Sequence, residues 1–348
     1  MDPQSGGGGV IETVRGAMDA ADLGATVMHD HLLSDSSALQ RAGTVPAPAS
    51  DRVVIESLGY LRWNALALAD NLVLDDAGLA AEELARAGVA GQRAVVECSS
   101  WGLGPRHADL PAISAASGVT IISSYGAYVP RLVPAWVAAM SEGELEEHFV
   151  EALTTAIPGT GFRAGMLGIM GTTGALERRE REQLRAAARA AVRTGASVSV
   201  RLDPDAFRGP EVLQIVGAAG LAADRVVFSN VDEYMNAGYW TALSDAGAVL
   251  EMCFGTEAVH PGRVDNPSDR ERLAFFPSYV ADHPGARFVL GESVWTKAQL
   301  RAYGGHGYAY LTERIVPELR GLGVDPVLLG SMLVDEPRRL LDRPTATA

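Results

Sequence analysis

Ala25-Thr26-Val27-Met28-His29-Asp30-His31 is a short apolar run that ends in two histidines. Its length and composition read as a strand buried on both faces. Residues i and i+2 of a strand point the same way, so His29 and His31 can serve one site together. Further runs of this kind are Arg93–Ser99, Val119–Tyr125, Gly165–Met170, Ser197–Leu202, Arg225–Val231, Ala248–Cys253 and Arg287–Ser293. Amphipathic stretches with helical spacing lie between them. Glu180–Arg193 is the clearest, with Leu184, Ala188 and Val192 four apart. Asp75–Ala87, Ala108–Ala116, Glu144–Ala156, Gly209–Ala219 and Arg270–Asp282 follow the same pattern. Buried strands alternating with helices predict an α/β fold, a (β/α)8 TIM barrel. An open doubly wound sheet is the alternative, but no Gly-x-Gly-x-x-Gly follows the first strand to support it.

The chain has 348 residues, 47% of them hydrophobic, which is ample for one large core. The expected organisation is a flexible N-terminal tail over 1–9, a single barrel domain over 10–342 and a C-terminal tail over 343–348. Met1–Ser5 and the four glycines after it lack the basic and apolar regions of a signal peptide. No stretch approaches ~18 uninterrupted apolar residues, so no membrane span is expected. The only cysteines are Cys98 and Cys253, too few for a disulfide framework, which points to a cytoplasmic address. A net charge of −14, with lysine nearly absent, argues against nucleic acid or an anionic membrane as partner. A small-molecule substrate is the expected partner.

In such a barrel the chemistry sits where strands end and loops begin. The tips present His29 and His31, Ser99 to Trp101, Tyr125 to Tyr128, Ile169, Arg201, Asn230 and Asp232, Glu251 and Cys253, then Glu292 and Ser293. Glu97 and Glu251 lie inside apolar strands, where a carboxylate must be paired, protonated or ligating. Glu97 can pair with Arg201 inside the barrel. Arg201 can otherwise clamp a substrate carboxylate or phosphate. Trp101, Tyr125, Tyr128, Phe254 and Trp295 can wall an apolar pocket. Ser293 lacks a nucleophile-elbow sequence and is not read as a nucleophile.

Several longer motifs resemble the phosphotriesterase family of the amidohydrolase superfamily. Ile11–Gly16 is similar to its N-terminal strand, and Leu23-Gly24 with His29-Asp30-His31 to its first barrel strand. Gly102–Arg106 is similar to its second loop, and Ala164–Leu167 to the entry of its fourth strand. Trp295-Thr296-Lys297 with Tyr303–Tyr308 resembles its eighth loop, and Val334–Leu341 its C-terminal helix. The resemblance covers residues 10–342. It implies an amidohydrolase-type barrel and hydrolysis of phosphoesters, lactones or amides at two divalent metals. Of the ligands it implies, only His29 and His31 match. The bridging position falls at Gly168 or Ile169. Arg201, Asn230 and Ser293 (beside Glu292) stand at the other three.

Without a bridging anion two adjacent dications repel, and Arg201 adds a charge that cannot be removed. The expectation is therefore a divergent member with a dismantled binuclear site and no metal cofactor. It is read as a metal-independent enzyme on a small, anionic organic substrate. His29 and His31 supply acid/base chemistry, Arg201 the anion clamp, and Asn230 and Ser293 orienting hydrogen bonds. Trp101, Tyr128, Asp232, Phe254, Glu292 and Trp295 contact substrate. One alternative is a non-catalytic binding protein. Another is a mononuclear zinc or manganese hydrolase on His29, His31 and a carboxylate from Glu292, Glu97 or Asp232, since a catalytic metal needs three protein ligands. The resemblance also implies a homodimer.

Overall fold

The computed structural model describes residues 9–343; the expected tail residues 1–8 and 344–348 lie outside the described residues. Its sheet contains β1 (Thr26–Asp30), β2 (Ala94–Glu97), β3 (Thr120–Tyr125), β4 (Met166–Gly171), β5 (Val198–Arg201), β6 (Val226–Ser229), β7 (Val249–Cys253) and β8 (Phe288–Gly291). The strands are parallel and follow one another in chain order. Beyond β8, the amides of Glu292 and Ser293 donate to the His29 carbonyl at 3.1 and 2.8 Å, and the His31 amide donates to Val294 at 3.1 Å. These bonds bring the two edges together, so the sheet curls into the expected (β/α)8 barrel. Each apolar run coincides with its strand, with Gly171 the single residue outside.

The main helices pack outside: α1 (Ala77–Val89), α2 (Leu110–Ser117), α3 (Glu142–Thr154), α4 (Arg178–Thr194), α5 (Gly209–Ala218), α6 (Ala237–Asp245) and α7 (Asp269–Asp282). Side-chain caps set the starts of α1, α3 and α7. Asp76 accepts from the Leu79 amide, and Ser141 and Ser268 form reciprocal boxes with Glu144 and Glu271. Gly118 and Gly195 end α2 and α4 in the left-handed conformation. Helix α6 has no counterpart among the expected helices. It is short, contains Gly238, and buries only Trp240 and Leu243, so its periodicity is faint. No helix among the described residues is long and apolar enough to cross a membrane.

Two apolar layers result. Strand residues such as Val95, Ile121, Val200, Phe228 and Leu250 pack outward against the helices. Met28, Val96, Ile122, Met166, Val227 and Val289 fill the lumen, and Ile11 and Leu340 close its base. Near the base, Arg343 donates to the carbonyls of Leu153 and Ala164 at 2.8 Å. The filled lower lumen leaves polar side chains to the upper end. The β1/β2 register shifts between Val27 and Asp30, which changes the phase of β1. Met28 therefore joins the lumen packing while His29 and His31 reach polar partners above it.

Candidate active site

His29 and His31 meet at the top of the lumen with their Nε2 atoms 3.3 Å apart. His29 Nδ1 is 2.9 Å from Glu251 Oε2, and His31 Nδ1 is 3.0 Å from Ser99 Oγ. The four side chains form one chain, Glu251–His29–His31–Ser99, and all are buried. An ionised carboxylate only accepts, so an ionised Glu251 fixes the proton of His29 on Nδ1. That leaves the His29 Nε2 lone pair facing His31, with Ser293 Oγ 3.5 Å away. Burial first, then the neighbouring His29 and Arg201, holds the His31 imidazole well below its usual range, so it is neutral at pH 7.

Cys253 lies two residues beyond Glu251 on β7, and its Sγ is 3.8 Å from His29 Nδ1. Burial, with Glu251 nearby, pushes this thiol well up. Ser99, Glu251 and Cys253 are absent from the expected site residues although all three stand at strand tips. The legible signal was Glu251-x-Cys253, an i, i+2 pair inside an apolar strand, facing the same way as His29-x-His31.

On the β5–β6 side the charges are internally matched. Arg201 holds Glu233 through one guanidinium nitrogen, at 2.8 and 2.6 Å to its two oxygens, and donates to Tyr128 Oη at 3.3 Å. It does not pair with Glu97, whose carboxylate accepts instead from the amides of Leu32 and Ser99. Burial raises Glu97 to about 8. A substrate anion reaching Arg201 has to compete with Glu233. Asp232 is wholly buried against Arg272, at 2.7 Å, and accepts from the Cys253 amide. Asn230 takes a left-handed backbone, and its Oδ1 is buried without a protein partner among the described residues. Ser293 is also left-handed.

Three expected substrate contacts therefore point elsewhere. Asp232 belongs to the Arg272 ion pair. Glu292 accepts from the Leu311 amide, and burial lifts its carboxyl to about 8. Phe254 is fully buried, edge-on to Phe276 in the outer core. Tyr128, Trp101 and Trp295 remain half-buried at the mouth. Trp101 sits in an aromatic group with Trp136 (5.0 Å), His107 (6.0 Å) and Tyr125 (6.4 Å). His148 lies 5.4 Å from Trp136 and hydrogen-bonds the Tyr125 hydroxyl at 2.6 Å.

The family model described as "Phosphotriesterase family" matches residues 9–341. The chain belongs to the phosphotriesterase family. An N-acetyltaurine hydrolase of Tetraodon nigroviridis is 30% identical over 345 residues, spanning 96% of this chain and 98% of that one. The crystal structure of a resiniferatoxin-binding protein from Rhodobacter sphaeroides superposes with a TM-score of 0.90 at 32% identity, covering 96% of this chain and 95% of that one. The lactonase Lmo2620 from Listeria monocytogenes shares the fold, with a TM-score of 0.76 at 21% identity over 97% of this chain and all of that one.

The two divalent metals implied by phosphotriesterase resemblance do not fit the residues present. Ile169 is buried and offers only its carbonyl, which accepts from Ser100 Oγ. At the fifth-strand position where the resemblance implies a ligand stands the Arg201 guanidinium, already held by Glu233. A second cation there would face that fixed charge in a buried setting.

Proposed function

We propose that this chain is a hydrolase acting on a small organic amide or ester, with its acid/base chemistry carried by His29 and His31 and no binuclear metal centre. The observation that carries the reading is the hydrogen-bond chain from Glu251 through His29 and His31 to Ser99. With Nδ1–H donated to Glu251, His29 presents a basic Nε2 and can take a proton from an attacking water. Glu251 then stabilises the imidazolium that forms, and the same nitrogen can return the proton to the leaving group. His31, neutral and with its Nδ1 accepting from Ser99 Oγ, donates its Nε2–H to that nitrogen and holds the base in place until the proton moves. Ser293 and the unpaired Asn230 Oδ1 orient substrate, and Trp101, Tyr128 and Trp295 contact its apolar part. Arg201 adds positive potential, with Glu233 tempering its hold on a substrate anion. N-acetyltaurine hydrolase among the relatives favours an N-acyl amide. A cytoplasmic address and a homodimer complete the reading; the unpaired buried cysteines support the first, and exposed Ile55 and Trp63 on the β1 loop support the second.

The test is hydrolysis of a panel of N-acyl amino acids and sulfonates, esters and lactones by chelator-treated protein. Turnover should persist without metal, vanish in His29→Ala/His31→Ala, and fall by about 10²–10⁴ in Glu251→Gln. Activity that appears only on adding metal, or that survives the double substitution, refutes the reading. A second reading is a non-catalytic binder of a small apolar molecule. It draws on the burial of His29, only 1% exposed, and on the resiniferatoxin-binding relative. Tight binding from such a panel with no turnover would select it.

A further inference from the structure

We propose that His29 Nδ1, Glu251 and Cys253 form a mononuclear site for a borderline-soft divalent cation, zinc above all, on the far side of the His29 ring from His31. The three donor atoms lie within 4.8 Å of one another, and all three residues are buried. Bond lengths of about 2.0–2.1 Å for Zn–N and 2.3 Å for Zn–S put tetrahedral N and S ligands about 3.6 Å apart. The observed separation of Cys253 Sγ from His29 Nδ1 is 3.8 Å. Glu251 Oε2, at 2.9 Å from Nδ1, has to withdraw by a few tenths of an ångström to open the third position.

The barrel is built to let these groups meet. Strand β8 runs between β7 and β1, and a side chain at the shared level would hold them apart. Gly291 occupies that level, paired with Cys253 in the ladder. A Cβ on Gly291 would come within 2.8 Å of His29 Cβ and 3.0 Å of Cys253 Sγ. The missing side chain is thus what brings an imidazole and a thiol from non-adjacent strands into one cradle.

Charge and donor chemistry agree. A dication with one carboxylate and one thiolate is a neutral unit, the form a buried site tolerates. The N, O, S set favours zinc over magnesium or calcium, which prefer oxygen ligands. Loading sends the Cys253 thiol proton to solvent and moves the His29 proton from Nδ1 to Nε2; nothing is oxidised or reduced. The cation and the Glu251–His29 hydrogen bond therefore exclude each other. This makes zinc a competitor of the acid/base chain, although the site itself does not depend on that reaction.

The experiment is titration of the full chain with cobalt(II) as the spectroscopic probe, followed by zinc displacement and X-ray absorption of the zinc form. One equivalent of tetrahedral cobalt should appear with a thiolate-to-cobalt charge-transfer band. The band should disappear in Cys253→Ser, persist in His31→Ala, and require at least tenfold more cobalt in Gly291→Ala. The zinc form should show a single sulfur scatterer, a result that stands even if a variant fails to fold. Absence of a bound equivalent, absence of sulfur from the zinc shell, or loss of the band in His31→Ala would each overturn the proposal.

Discussion

The β5–β6 side of the barrel mouth and the β7–β8–β1 side carry buried charge in opposite ways. On the first, every cation has its own carboxylate: Arg201 holds Glu233, and Arg272 holds Asp232 with Asp269 alongside. On the second, extended by Glu97 at the neighbouring β2 tip, Asp30, Glu97, Glu251 and Glu292 are buried near the two imidazoles, and none has a Lys or Arg hydrogen-bond partner among the described residues. Burial raises Asp30, Glu97 and Glu292, which favours their protonated forms where a matched ion pair would favour the charged one. The matched side is a strut that resists change. The acidic side can exchange a proton or take a cation, and that is where the His29 and His31 chemistry sits.

The largest expected effect tests the strut. Arg272→Leu leaves Asp232 without its fully buried partner and should lower stability by about 3–5 kcal/mol in urea unfolding. A loss below about 1 kcal/mol would mean that the pair is not the organising element of this side. Next comes the acidic side, read through pH. Glu97 is raised from 4.5 to about 8 in the fold. Between those values the native state keeps a proton that the unfolded chain has released. Its contribution is thus complete below pH 4.5 and is lost as pH rises through about 8, by a slope of order 1 kcal/mol per pH unit. Glu97→Gln should flatten that slope; an unchanged pH dependence of unfolding would contradict the assignment.

A smaller effect is expected where the matched side meets solvent. The Arg201 side chain is 29% exposed, so a double-mutant cycle of Arg201→Met and Glu233→Gln should return a coupling of only about 1 kcal/mol. A coupling as large as the Arg272 effect would show that exposure does not grade these pairs. Least of all is expected from the surface ladder between α3 and α4. Arg193 reaches Glu146 and Glu147 there, and Arg193→Ala should leave the urea midpoint unchanged.

The barrel was legible because its strands are buried on both faces and its longer helices are capped and periodic. The Glu180–Arg193 pattern, for example, falls inside α4. The partners of the tip residues were less so. Sequence placed Arg201 at a strand end, but Glu233 reaches it from the loop after β6, and no spacing rule connects the two. Asp232 and Phe254 follow strand ends as expected, yet their side chains turn into the outer shell because Arg272 and Phe276 wait there on α7. Glu251 and Cys253 needed one more inference: that a glycine on the strand between would let β7 touch β1.

The indoles of Trp101 and Trp136 lie 5.0 Å apart and nearly perpendicular, one following β2 and the other on a short helix, Ala135–Ala139, in the connection after β3. Transition dipoles this close mix, so the native mouth should carry an exciton couplet in its ultraviolet circular dichroism. His148, 5.4 Å from Trp136, adds a quencher that strengthens on protonation. The molecule thus carries its own optical gauge of how these two loops sit, readable without a label as ligand or acid is added.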